Sequence, residues 1–157
     1  MKIALLIALI LVLGAGAYVA TQCPCERTPG MWLSGDLQTA LVDDWSFAND
    51  RSVAPLCQIE VRSWRPHSIN LNCMADDEGR LFLSCAQCDG KTWSTMVLNN
   101  PEARIRIGER LFPVKVRRVT DEATLDLAWQ ARARKVGREP TPRPPHWWSF
   151  ELVSSSN

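Results

Sequence analysis

Histidine is scarce in this chain: His67 and His146 are the only two among 157 residues, with a single tyrosine. That leaves little material for a Ser-His-Asp triad or a multi-histidine metal centre. No Gly-x-Ser-x-Gly, phosphate-binding glycine loop or His-Glu-x-x-His occurs, so the usual motifs of α/β-hydrolases, P-loop enzymes and zinc peptidases are missing. Charge of either sign is also lacking in excess. Eighteen Lys and Arg offset 17 Asp and Glu for a net charge of +1, too little to recruit nucleic acid through a global field. No internal repeat is visible.

What is present begins at the N-terminus. Lys2 precedes an uncharged run from Ile3 to Gln22, and Ile3 to Leu13 is almost purely aliphatic. An apolar stretch of about 18 residues is long enough to cross a bilayer as a helix. The same stretch reads alternatively as a cleaved signal peptide, with Ala15-Gly16-Ala17 as the small-residue cleavage site. Either reading keeps Lys2 cytoplasmic and puts the rest across a bacterial inner membrane, facing the periplasm or cell exterior, or secreted after cleavage. Six cysteines, Cys23, Cys25, Cys57, Cys73, Cys85 and Cys88, suit such an oxidising compartment; their connectivity is not legible from spacing. The chain therefore divides into an anchor or signal (1–22), a Pro/Gly tether (23–31) and one domain (32–157).

Residues 32–50 carry no clean period. From Cys57 the pattern is β: Cys57, Ile59 and Val61 alternate with polar residues. Ile69, Leu71 and Cys73 lead through Asp76-Asp77-Glu78-Gly79 into Leu81, Leu83 and Cys85, a hairpin. A second hairpin pairs Ala103, Ile105 and Ile107 with Phe112, Val114 and Val116 across Gly108-Glu109-Arg110, and Pro113 in its returning strand points to an edge or bulge. The arginines alternating through 104–118 read as a solvated sheet face. A short helix is expected over 91–98, with Asp89 as its cap and Pro101 beyond its end. A longer helix spans 121–136, capped by Thr120, with Leu125, Ala128, Trp129 and Val136 as its buried stripe and Gly137 as its stop. A proline-rich connector leads to a last strand, 146–153. Antiparallel strands with two inserted helices make an α+β, mainly β barrel, closed or partly closed.

The ordered set GRLFLS (79–84), DGKTW (89–93) and LNNPEARIRIGERLFPVKVRRVTDEA (98–123) resembles the flavin-binding split β-barrel superfamily. That superfamily includes the pyridoxamine 5'-phosphate oxidase-like proteins and the deazaflavin-dependent nitroreductases. The resemblance covers roughly residues 53–136. It implies a homodimer with FMN or a deazaflavin held between subunits, and a nitroreductase- or quinone reductase-like activity on a small molecule. In oxidase-like members a hydroxyl residue ending the strand before the helix and a lysine at the helix start hold the flavin phosphate. Ser84 and Lys91 stand at those places, with Thr92 adding a hydroxyl. Where those members carry an arginine at the head of the preceding strand, this chain has His67-Ser68. Where they carry one just before the lysine, it has Gly90. A helix start with an adjacent ammonium is also an anion seat on physical grounds.

Several other readings are open. His67 or His146 is a candidate haem ligand, which makes a non-enzymatic barrel for haem or another planar ligand an alternative, as is a structural module without cofactor. Cys85-Ala86-Gln87-Cys88 is a Cys-x-x-Cys, read as a structural pair before a redox motif, and Cys23, Cys25, Cys85 and Cys88 together are a conceivable zinc set. Most of the seven tryptophans belong to core or interface, with Trp147-Trp148 a candidate for a ligand pocket or membrane surface.

Overall fold

The structure, a computed structural model, describes residues 2–21, 30–62 and 64–156. Helix α1, Lys2–Thr21, is 20 residues long, and every described side chain in it, Ile3 to Tyr18, is exposed. Counted over the described residues, no helix is long and apolar enough to cross a membrane. Most of the predicted tether lies outside the described residues, together with Cys23 and Cys25.

The domain begins with a two-residue strand, β1 (Asp36–Leu37). Then come a 3-10 turn at Ser46–Asn49, β2 (Cys57–Val61), β3 (His67–Ala75), β4 (Leu81–Ala86), α2 (Thr92–Asn99), β5 (Glu102–Ile107), β6 (Arg110–Arg118), α3 (Glu122–Val136) and β7 (Trp147–Ser154). The sheet order is β1-β6-β5-β2-β3-β4-β7, and β6 also pairs with β7. Strands β2 to β7 thereby close into an antiparallel barrel, while β1 adds in parallel to the start of β6. Closure removes the open sheet edges that a small β-domain must otherwise protect.

Alternation decides which side chains fill the barrel. In β5 the odd positions Ala103, Ile105 and Ile107 are buried and the even ones partly exposed. With Ile59, Leu83, Val114 and Phe150 they form the core, each large side chain contributing roughly 1.5–3 kcal/mol on burial. Helix α2 sends Trp93 and Val97 into this core. Helix α3 builds a second cluster outside the barrel, where Leu125, Ala128 and Ala131 meet Met74, Phe82 and Trp147.

Both predicted hairpins form, and Arg110, expected in the second turn, instead opens β6 opposite Ile107. At the β3–β4 turn, Asp76 Oδ1 accepts from Arg80 N at 2.9 Å. Gly79 sits at φ +78°, where a Cβ would lie 2.6 Å from Asp44 Oδ1, so glycine is required there. Pro113 is tolerated because Val116 N donates to Pro101 O; by alternation the amide-less Pro113 turns away from β5. There it falls at the end of the β6–β7 ladder, whose first pair is Val114 with Ser154.

Three other expectations are corrected, and one unassigned segment gains structure. The cap of α2 is Lys91, not Asp89: Lys91 N closes a turn onto Cys88 O, with Gly90 at φ +71°, so Asp89 is used inside that turn. The cap of α3 is Asp121, whose Oδ1 accepts from Thr124 N at 2.8 Å, rather than Thr120 one position earlier. The 32–50 segment, which its lack of a period leaves unassigned, supplies β1, the 3-10 turn and the buried Trp45. The arginine row is not simply solvated: Arg104 pairs with the buried Glu60 at 2.6 Å, and Arg106 donates to Gln58 and to Ser34 O. Gly137 ends α3 in the left-handed conformation as expected. The last strand, the short helix and the barrel itself also stand where the pattern puts them.

Candidate functional site

A groove of about 660 Å³ lies between the β2–β3 connection and the outer face of α2. That volume lies within the range of small-molecule sites. Helix α2 contributes Thr92, Met96 and Asn99, residues that helical spacing puts on one face. The connection contributes Arg62, Trp64 and Arg65, and β3 contributes His67 at its first position. The floor is pinned from both sides. Asn100 Nδ2 donates to Arg62 O at 3.1 Å. Gly30 and Ser68 exchange both backbone hydrogen bonds, at 3.0 and 2.9 Å, which brings Gly30 and Met31 to the rim.

Among the described residues no carboxylate lines this groove, and Arg62 and Arg65 do. The Arg65 guanidinium lies 5.3 Å from the centre of the Trp64 ring, and Trp64 is 89% exposed. A large, outward-facing indole beside a cation is a stacking surface for a planar group. Burial lowers the pKa of His67 below its ordinary value, so the imidazole is held neutral near pH 7.

The sequence-predicted site residues separate. Thr92 and His67 line the groove together. Ser68, next to His67, is fully buried and donates through Oγ to Met31 O at 3.0 Å, so it fastens the rim. Lys91 is exposed and not among the lining residues; its Nζ donates to Ala86 O at 3.2 Å. Ser84 lies on the opposite face of β4 from the core residues Leu83 and Cys85, in register with Asn72 and Ser149. It is buried, with no hydrogen-bond partner for Oγ. Arg62, Trp64 and Arg65 were missed, although a Trp-Arg-Pro run in a short connection between two strands is itself a turn signal that exposes its residues.

The remaining candidates lie elsewhere. His146 is exposed. Trp147 is buried with its ring 5.1 Å from Trp129, and Trp148 carries the Arg118 guanidinium 3.5 Å above its ring. Cys85 bonds to Cys88 and Cys57 to Cys73. Pairing of Cys85 with Cys88 favours the structural reading of the Cys-x-x-Cys over a zinc set.

No family model matches the sequence, and no curated protein does. Solved structures do match the fold. A candidate 5-nitroimidazole antibiotic resistance protein from Bacteroides thetaiotaomicron superposes with a TM-score of 0.56 at 10% identity, covering 85% of this chain and 92% of that one. A candidate pyridoxamine 5'-phosphate oxidase from Listeria innocua gives 0.51 at 16% identity, covering 64% of this chain and 84% of its own. A conserved hypothetical protein from Mycobacterium tuberculosis gives 0.52 at 10% identity, covering 76% and 85%. The chain thus has the split β-barrel fold of the pyridoxamine 5'-phosphate oxidase-like proteins.

Proposed function

We propose that this chain is a membrane-anchored, extracytoplasmic split barrel that binds FMN or a deazaflavin and acts as an oxidoreductase on a small molecule. The observation that carries the reading is the groove: Arg62 and Arg65, an exposed indole and a helix-start hydroxyl, with no carboxylate among its described lining residues. These residues fit a planar ligand that ends in a phosphate. Arg62 and Arg65 match a phosphate with charge-assisted donors, Thr92 adds a hydroxyl at the start of α2, and Trp64 offers a face for a ring system. Bound there, a flavin-type cofactor supplies hydride transfer. The chain's own residues hold it, orient it and shield it. His67, neutral at pH 7, offers one ring nitrogen as donor and the other as acceptor to the ligand.

Three further parts of the proposal rest on separate observations. The exposed aliphatic side chains of α1, among them Leu5, Leu9 and Val12, support anchoring. The Cys57–Cys73 and Cys85–Cys88 bonds support an oxidising compartment. The groove is open to solvent, which suits a homodimer in which a second copy completes the wall.

The test is to purify the full chain in detergent and titrate it with flavin mononucleotide, and separately with a deazaflavin. Quenched flavin fluorescence and a raised thermal midpoint are expected; neither change with either cofactor ends the proposal. A second reading, a planar ligand such as haem, is favoured by His67 alone, because a neutral imidazole in a groove is a suitable axial ligand. A Soret band that His67→Ala abolishes would decide for it.

A further inference from the structure

A second pocket, of about 260 Å³, lies between the last turn of α3, strand β3 and the 51–56 segment. Its lining includes Arg51, Arg132 and Lys135, with Asn72 and Cys73 from β3. We propose that this pocket is a binding site for a small oxyanion of the phosphate or carboxylate class, separate from the groove beside α2.

The lining draws Arg132 and Lys135 from α3 and Arg51 from outside it, and no acid is among the described residues lining the pocket. Lys135 Nζ donates to Ala48 O at 2.6 Å and to Cys73 Sγ at 3.3 Å. The first is a neutral carbonyl and the second a sulfur already bonded to Cys57, so neither neutralises the ammonium. The nearby acids are turned elsewhere. Asp50 accepts from Ser52 N and Ser52 Oγ at 2.8 and 2.6 Å, and Asp77 pairs with Arg134 at 3.1 Å.

Basic residues at the end of a helix commonly answer its dipole. That account covers Arg134 and Lys135 as sequence, but not their placement. Arg134 and Arg138 stay exposed, whereas Lys135 is drawn to half-burial. A lysine stem is long enough to carry its charge out to water; here it carries the charge inward. Arg51 comes from outside the helix altogether, and it is close enough to add to burial, the larger cause, in pushing the Lys135 amine down to about 8. An anion seated beside Lys135 and Arg51 would offset both effects with its charge, and the Asn72 amide adds a neutral donor. Arg132 has a guanidinium 5.2 Å from the Trp129 ring centre, which holds its stem along the helix.

The test uses the full chain in detergent, titrated with sodium phosphate or sodium acetate against chloride at matched ionic strength. The primary readout is the pH titration of the Lys135 ε-carbon by NMR, assigned by its loss in Lys135→Met. Phosphate or acetate should raise the midpoint by about one pH unit or more. The more effective ion tells a phosphoryl ligand from a carboxylate. Arg51→Gln and Arg132→Gln, which leave the Ala48 contact in place, should each weaken the effect by about tenfold. A thermal shift without movement of the Lys135 midpoint would place the anion at the α2 groove instead and overturn the proposal. So would an unchanged midpoint with both ions, or an effect that both arginine variants retain in full.

Discussion

The Glu60 carboxylate on β2 is clamped by the Arg104 guanidinium of β5, which reaches its two oxygens at 2.9 and 2.6 Å. Glu60 also accepts from Leu33 N at 2.6 Å, and Arg104 donates back to Leu33 O at 3.4 Å. One ion pair therefore fastens the segment before β1 to the outside of the barrel. The Glu60 side chain is 3% exposed and that of Arg104 is 20% exposed, so removing one partner strands a poorly solvated charge. Glu60→Gln is expected to cost about 2–4 kcal/mol, somewhat below the value for a fully buried pair. Urea denaturation checks this, and a loss under roughly 0.5 kcal/mol would mean the pair behaves as a surface one. The double change Glu60→Leu with Arg104→Leu should recover most of the loss, because it leaves no orphaned charge.

That pair also shows where sequence reading stops. The alternation of Ala103, Ile105 and Ile107 announces β5 and its inward face, since a period of two follows from the strand itself. What covers the outward face depends on a distant segment, and Leu33-Ser34 has no period to advertise that role. The candidate site divides in the same way. Thr92 and His67 were reachable from the order of elements, because strand ends and helix starts lie at the rims of a barrel. Arg62 and Arg65 were not, since a connection carries no pattern that tells which way its side chains turn. Lys91 was placed at the right helix start, but the turn onto Cys88 directs its ammonium to Ala86 O instead of the groove.

The Cys57–Cys73 bond links β2 to β3 across 16 positions of sequence, whereas Cys85–Cys88 spans 3. If cross-linking acts by restricting the unfolded chain, a loop of about 15 residues is worth about 3 kcal/mol, and a loop of a few residues less. Replacing Cys57 and Cys73 by serine should therefore lower the thermal midpoint more than replacing Cys85 and Cys88. Calorimetry of the two double variants, without reductant, makes the comparison; the reverse order would refute the loop-entropy account.

Lys135 should make stability rise with pH in mildly alkaline, phosphate-free buffer. Its native value of about 8 lies below the roughly 10.4 of an unfolded lysine. Below pH 8 both states hold the proton, and the full cost of burying the charge is felt. Between the two values the unfolded chain still binds the proton and the native chain does not, so unfolding becomes less favourable. The gain across that window is about 1–2 kcal/mol once screening of a partly exposed amine is allowed for. Lys135→Met should flatten this part of the profile, and the difference between the two denaturation series from pH 7.5 to 10 isolates the one group.

Comparison of phosphorylated with unphosphorylated flavin tests the groove most sharply. Arg62 and Arg65 line it, while Lys91 bonds to Ala86 O away from it. Each charge-assisted phosphate contact is worth at least a factor of about ten in affinity. Changing both arginines to glutamine should thus weaken flavin mononucleotide by about a hundredfold while leaving riboflavin, which has no phosphate, within about twofold. Trp64→Ala should weaken the two ligands equally, since ring stacking is common to both. Lys91→Ala should cost less than either arginine change. If the lysine variant instead loses the phosphate preference and the arginine variants keep it, then the anion sits at the head of α2 and the cations of the β2–β3 connection are bystanders. Equal losses for both flavins in every variant would leave the groove an aromatic seat with no phosphate subsite.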